Sequence, residues 1–199
     1  MGTELEWKYD LPETLPEEEI LAWPGVRERL AETPRRIRMR SVYYDTPDRS
    51  LSEARITLRR RLENDVSVIC CKAPLPGAED PMLRGEWELA ADDLTEALPR
   101  LAAEGAPAVL QEHSDYLPVC GVEFARTAAL LRFADGSAAE LALDAGILRG
   151  ASASQPFRVL ELELKEGAPE AALDFLKLLA ARFGLTPQKK SKYARAKAL

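Results

Sequence analysis

The sequence predicts an α+β protein dominated by an antiparallel sheet. Three observations predict it. Eight segments alternate charged or polar residues with large apolar ones at a period of two, the mark of strands with two unlike faces. Asn64-Asp65 and Asp135-Gly136 sit between such segments as hairpin tips. Stretches of helical pattern are inserted between the strands.

Residues 3–9 alternate and form the first predicted strand. Glu17 to Leu30 reads as helix with an acidic first turn, divided at Pro24-Gly25. Residues 35–44 alternate and run into the turn signal Asp45-Thr46-Pro47-Asp48, followed by a short helical turn to Glu53. Residues 55–63 and 66–72 form a hairpin, and Pro74 to Pro81 a loop. Residues 83–90 alternate strongly; Asp92 to Glu104 is helical, stopped by Gly105. Residues 119–133 and 138–149 flank the Asp135-Gly136 turn, and 157–165 form the eighth strand. Pro169 to Phe183 is an amphipathic helix closed by Gly184, and Gln188 to Lys197 is a basic tail.

Length and composition set bounds. The chain has 199 residues with 46% hydrophobic and 30% charged content, suited to one domain over residues 1–199. The net charge of -6 argues against whole-molecule attraction to nucleic acid or an anionic membrane. Cys70, Cys71 and Cys120 lack zinc-type spacing and read as reduced structural thiols. His113 is the only histidine, too little for a histidine metal cage. There is no signal-peptide pattern and no apolar run of membrane-spanning length, so a cytoplasmic location is expected.

The charged parities of the strands carry the functional information. They are Glu4, Glu6 and Lys8; Arg36, Arg38 and Arg40; Arg55, Thr57, Arg59 and Arg61; Lys72; Arg84, Glu86 and Glu88; Arg126, with Arg132; Glu140 and Asp144; and Glu161, Glu163 and Lys165. One such strand is an ordinary half-exposed edge. Nearly all of them together suggest a sheet curled into an eight-stranded barrel with helices packed outside and a charged interior. Charge in such a tunnel must be compensated. Arg and Lys match phosphate oxygens. Carboxylates hold Mg²⁺ or Mn²⁺, which bridge phosphate oxygens. The combination describes a site for a linear polyphosphate; the glycine-rich phosphate loop of common nucleotide-binding proteins is absent.

The ordered set of segments resembles the CYTH superfamily, also called triphosphate tunnel metalloenzymes. The segments are Glu4-x-Glu6-x-Lys8; Tyr43-Tyr44-Asp45-Thr46-Pro47-Asp48 with Leu51; Leu58-Arg59-Arg60-Arg61; Lys72; Arg84-Gly85-Glu86-Trp87-Glu88; Phe124-Ala125-Arg126-Thr127; Glu140 to Gly146; Glu161-Leu162-Glu163-Leu164-Lys165; and Ser191-Lys192-Tyr193. The resemblance implies a tunnel enzyme that hydrolyses a small triphosphate to phosphate and pyrophosphate with Mg²⁺ or Mn²⁺, and the chain looks most like bacterial inorganic triphosphatases. It implies metal ligation by Glu4, Glu6, Asp144, Glu161 and Glu163, and catalytic roles for Glu4, Glu6 and Lys8. Lys8, Arg59, Arg61, Lys72, Arg84, Arg126 and Lys192 would hold the substrate, and Glu86 and Glu88 would orient basic groups or a metal-bound water, with direct contact to the metal left open. Two other readings stand beside it: an adenylyl cyclase of the class IV type, which would release cyclic AMP, and a non-catalytic polyphosphate or nucleotide-binding module, which would release nothing. No nucleic-acid or membrane partner is expected.

Overall fold

The computed structural model describes residues 2–75, 77 and 83–199; of the predicted loop at 74–81, residues 76 and 78–81 lie outside the described residues. Eight long strands carry the fold: β1 (Gly2–Asp10), β2 (Arg35–Asp45), β3 (Thr57–Glu63), β4 (Val66–Pro74), β5 (Leu83–Ala90), β6 (Leu117–Arg132), β7 (Ala138–Arg149) and β8 (Ser154–Glu166). They pair in the order β5-β4-β3-β2-β6-β7-β8-β1, and β1 also pairs with β5, so the sheet closes on itself as an antiparallel barrel. Closure falls within β1. Its first half, Gly2 to Leu5, pairs with β5, and its second half, Glu6 to Asp10, pairs with β8. A two-residue strand, β9 (Thr186–Pro187), adds to the outer part of β1.

The turns follow the sequence signals. Asn64 adopts φ +52° at the β3–β4 tip, and its side chain accepts from the Arg38 amide at 3.0 Å. Gly136 takes φ +87° between β6 and β7, where Asp135 accepts from the Ser137 amide at 2.9 Å. The predicted helix at 17–30 is two helices, α1 (Glu17–Ala22) and α2 (Pro24–Arg27), because Pro24 starts a new turn and Trp23 remains extended. A short α3 (Ser50–Glu53) precedes β3. Arg55 lies outside β3 with φ +56°, one residue in the linker rather than a strand position. Next comes α4 (Leu94–Ala103), capped by the Asp93 side chain on the Glu96 amide at 2.9 Å. Then α5 (Glu170–Phe183) ends at Gly184 in the left-handed region, as its sequence indicates.

Two apolar layers lie outside the barrel. Under α1, α2 and α5, Leu141, Leu143, Leu160 and Leu162 pack with Ile20, Phe175, Leu176 and Leu179. Trp23 stacks on Phe175 with ring centroids 6.0 Å apart. Under α3 and α4, Leu58, Ile69, Cys71 and Trp87 pack with Leu51, Leu98 and Leu101. These are the parities opposite the charged ones, as alternation requires.

A third apolar cluster lies inside the barrel, on parities whose other members are charged. Val122, Leu148, Phe157 and Val159 share the strand parities of Arg126, Asp144 and Glu161, and they pack with Tyr43 and Cys120. They are covered by Tyr193 and Ala196 of the last helix, α6 (Lys192–Lys197), and by Leu199 just after it. The basic tail is therefore a plug that fills one end of the bore.

β2 turns the opposite parity inward from the one its charges predict. Arg36, Arg38 and Arg40 face outward, while Arg35, Ile37, Met39 and Tyr43 line the bore. Outside, Arg36 pairs with Glu18 and Arg40 with Glu123, each at 3.6 Å, and both guanidinium groups remain largely in water. A long cation gains more from hydration than from a second row of like charge inside the barrel. Arg132 is likewise exposed, 3.4 Å from Glu166.

Leu162 is fully buried beneath α5, opposite the inward Glu161 and Glu163. Leu162→Ala is expected to cost about 2–5 kcal/mol. Urea unfolding should show a lower midpoint at unchanged slope.

Candidate active site

The bore is a cavity of about 580 Å³ lined by eleven basic and eight acidic side chains among the described residues. Its lining therefore carries positive charge in a chain whose net charge is -6. Of the residues singled out in the sequence, Glu4, Glu6, Lys8, Arg59, Arg61, Lys72, Arg84, Arg126, Glu161, Glu163 and Lys192 all line it. Asp144 lies behind this surface, fully buried.

The alternation of each strand brings these groups together, and the strand register decides their pairing. Lys72 faces Glu86 across β4–β5 and is 3.1 Å from it; Lys72 also contacts the Glu4 carboxylate. Arg59 lies 3.9 Å from Glu86, and Arg61 lies 2.9 Å from Glu88. On the opposite wall, Arg126 forms a two-pronged pair with Asp144, both bonds 2.8 Å, and reaches Glu161 at 2.6 Å. Lys192, from α6, meets the same two acids and is 2.8 Å from Asp144. Lys8 lies 3.1 Å from Glu6.

The sequence-predicted carboxylates thus fall into two groups. The oxygens of Glu4, Glu163 and Glu86 lie within 4.8 Å of one another, close enough to share one cation. Asp144 and Glu161 instead hold Arg126 and Lys192. Glu86 stands in the first group, beside Glu4 and Glu163. Arg84 lines the bore, but its Nη2 donates to the carbonyls of Arg55 at 2.7 Å and Lys72 at 2.9 Å. Lys165 lines the cavity on the same parity as Glu163, as its alternation predicts, and Phe124 and Cys70 line it too. Both could have been found from parity, since they share faces with Arg126 and Lys72.

Electrostatics distinguish the carboxylates. Burial, reinforced by the nearby Glu161 charge, pushes Glu6 up to about 8; Lys8 does not offset it. Burial also raises Glu163. At Glu86 burial is outweighed by Lys72 and Arg59, which hold the group down to about 2. Burial opposes ionisation at Glu4 as well, yet Lys72 keeps it below the ordinary carboxylate range. Burial works against ionised Glu161, but Lys192 and Arg126 keep it well below that range. Cys70 donates to Glu86 at 3.2 Å and is pushed up to about 12 by burial, so it is a thiol rather than a thiolate.

Two donors complete the picture. The Nε atoms of Arg59 and Arg61 are buried and have no hydrogen-bond partner among the described residues. They lie at alternate positions of β3, on the bore side. Unpartnered buried donors of this kind are costly and mark where an acceptor belongs. The donor set of the acidic wall, all carboxylate oxygens with at least one group raised by burial, fits a hard divalent cation. The residues present therefore suit both a cation and an anion.

A match to the CYTH domain spans residues 2–196. Solved structures agree on the fold. The PH1819 protein of Pyrococcus horikoshii OT3 is 20% identical, with 96% of this chain and 97% of that one covered and a TM-score of 0.57. HpAC1 from Hippeastrum, described as having a dominant triphosphatase activity, is 17% identical, with 100% and 98% covered and a TM-score of 0.56. The PH1012 protein of Pyrococcus horikoshii OT3 is 18% identical, with 98% and 99% covered and a TM-score of 0.53.

The raised Glu6 sets a pH dependence for the metal-free protein. The folded state retains a proton that the unfolded state releases near pH 4.5, so Glu6 opposes folding increasingly as pH rises from about 4.5 toward about 8. Glu6→Gln should remove this contribution. Urea unfolding from pH 5 to 8 should show the variant gaining stability over the parent as pH increases; a constant difference between them would contradict the assignment.

Proposed function

The chain belongs to the CYTH family, and from that premise we propose that it hydrolyses inorganic triphosphate, or a closely related small triphosphate, to phosphate and pyrophosphate with Mg²⁺ or Mn²⁺. The observation that carries this reading is the pairing of opposite needs across one bore. Arg59 and Arg61 present buried donors without acceptors, while Glu6 and Glu163 are carboxyl groups that burial drives toward the neutral form. A metal-bound polyphosphate answers both.

In this reading Glu4, Glu86 and Glu163 would hold the metal, helped by Glu6. Glu6 and Glu161 repel one another and so also gain from a neighbouring cation. The metal supplies neutralisation of phosphate oxygens and activation of water. Lys8, Arg59, Arg61, Lys72, Arg126 and Lys192 bind phosphate oxygens; Asp144 and Glu161 keep Arg126 and Lys192 oriented before substrate arrives. Water attacks the terminal phosphorus, the bridging P–O bond breaks and pyrophosphate leaves. The basic residues stabilise charge on the transferring group and the leaving group, where fixed donors in a partly dry site are most effective. Arg84, committed to two backbone carbonyls, supports β4 beside the site.

The aromatic lining favours an unadorned chain over a base-bearing one. The Phe124 ring is met by Lys192 at 5.2 Å and Arg126 at 5.7 Å. Tyr43 packs against Tyr193 at 5.1 Å. These rings are engaged by the protein itself, so stacking an adenine on them would displace existing contacts.

Phosphate release from triphosphate, thiamine triphosphate, ATP and longer polyphosphate should be compared with Mg²⁺ and with Mn²⁺. Triphosphate is expected to be the best substrate, with no cyclic AMP formed from ATP. Arg61→Ala should lower kcat/KM about 100-fold, and Glu6→Gln with Glu163→Gln should abolish metal-dependent release in a folded protein. Full activity in that double variant, or cyclic AMP as the main product from ATP, would refute the proposal.

A further inference from the structure

Lys192 differs from Lys72 and Arg126 in being carried by a helix rather than a barrel strand. That helix, α6, has six residues. Helices so short have no stability of their own in water; isolated ones need on the order of 12–15 residues to persist. The placement of the Lys192 ammonium, 2.8 Å from Asp144, therefore depends on what fixes α6. Apolar packing of Ala196 and Leu199 supplies part of this.

The Arg195–Asp10 pair at 3.4 Å and the Leu199 carbonyl, which accepts from the Ser152 amide at 3.3 Å, add to it, and a polar cluster on the β2–α3 side holds the residues next to Lys192. Asp45 ends β2 with 1% of its surface exposed. It accepts from the amides of Thr46 at 2.9 Å and Leu51 at 3.2 Å, and from the Ser52 hydroxyl. The Ser52 oxygen lies 3.1 Å from the Tyr193 hydroxyl and accepts from Lys197. The Lys197 ammonium closes the set, 3.3 Å from the Tyr193 hydroxyl and 3.6 Å from the Asp45 carboxylate. Tyr193 is the residue next to Lys192, and Lys197 lies one turn further along the same helix.

We propose that Asp45, Ser52, Tyr193 and Lys197 form a clamp that positions Lys192 in the bore. Asp45 is fixed by backbone donors at the start of α3, and through Ser52 it fixes two side chains of α6. None of the four touches the carboxylates that Lys192 meets, so they act through Lys192 and are positioning residues. Without the clamp the helix frays and the ammonium returns to water, where it is better solvated. The effect on turnover rests on the triphosphatase reading; the clamp itself rests on geometry alone.

Tyr193→Phe keeps the ring against Tyr43 and removes only the hydroxyl; Ser52→Ala removes the linking oxygen. In the full-length, metal-free protein, hydrogen exchange of residues 192–199 should accelerate about tenfold in both variants, with β6–β8 unchanged. With Mg²⁺ and triphosphate, KM should rise about 3- to 10-fold while kcat changes little. Neither substitution should raise KM further when combined with Lys192→Ala. Unchanged exchange in both variants overturns the clamp whatever the activity. Faster exchange with KM effects that add to those of Lys192→Ala overturns the positioning role. If the unaltered protein releases no phosphate from triphosphate, the triphosphatase reading falls and exchange alone judges the clamp.

Discussion

Charge neutralisation inside a closed barrel is the constraint on which the rest of this structure depends. In the long strands other than β2 the apolar parity packs outward under helices, so the charged parity has nowhere to go but inward. There they survive because each buried cation is matched to an acid: Lys72 to Glu4 and Glu86, Arg61 to Glu88, Arg126 and Lys192 to Asp144 and Glu161. Removing one partner of such a pair leaves the other uncompensated, which is costly. The same pairing holds long side chains in place in advance, lowering the entropy lost when an anion is bound.

The match is deliberately incomplete in only a few places, and they are informative. Arg59 and Arg61 each retain a donor without an acceptor, and Glu6 is crowded by Glu161. A fully satisfied network would be more stable and would have less to offer a ligand. The interior is also divided lengthwise. Polar residues occupy one part of the bore, and the apolar plug of Tyr193, Ala196 and Leu199 occupies another. A barrel of this size thus limits its wet volume without narrowing its wall.

Much of this was legible in the sequence, for a definite reason. In β1, β5 and β8 the residues opposite the charges are, Gly85 aside, Leu, Trp or Tyr, so the two faces could not be confused. In β2 they could. Arg36, Arg38 and Arg40 alternate with Ile37 and Met39, and either set can face a bore that tolerates both kinds. Alternation also says which side a residue takes but not which partner it meets. The position of Glu86 beside Glu4 and Glu163 depends on how β1 straddles β5 and β8. The plug helix was hidden because its apolar groups are few and lie within a lysine-rich tail.

The division of β1 between β5 and β8 bears on how the chain is made. Residues 2–10 leave the ribosome long before residues 83–90 and 154–166, the two long strands against which they pair. Until then both rims of the nascent sheet present bare backbone groups to other chains. Contacts this distant in sequence form slowly, because loop closure comes first. Seating β1 is a keystone step: biosynthesis carries its greatest risk of misassembly just before it, and shielding by a chaperone would matter most in that interval.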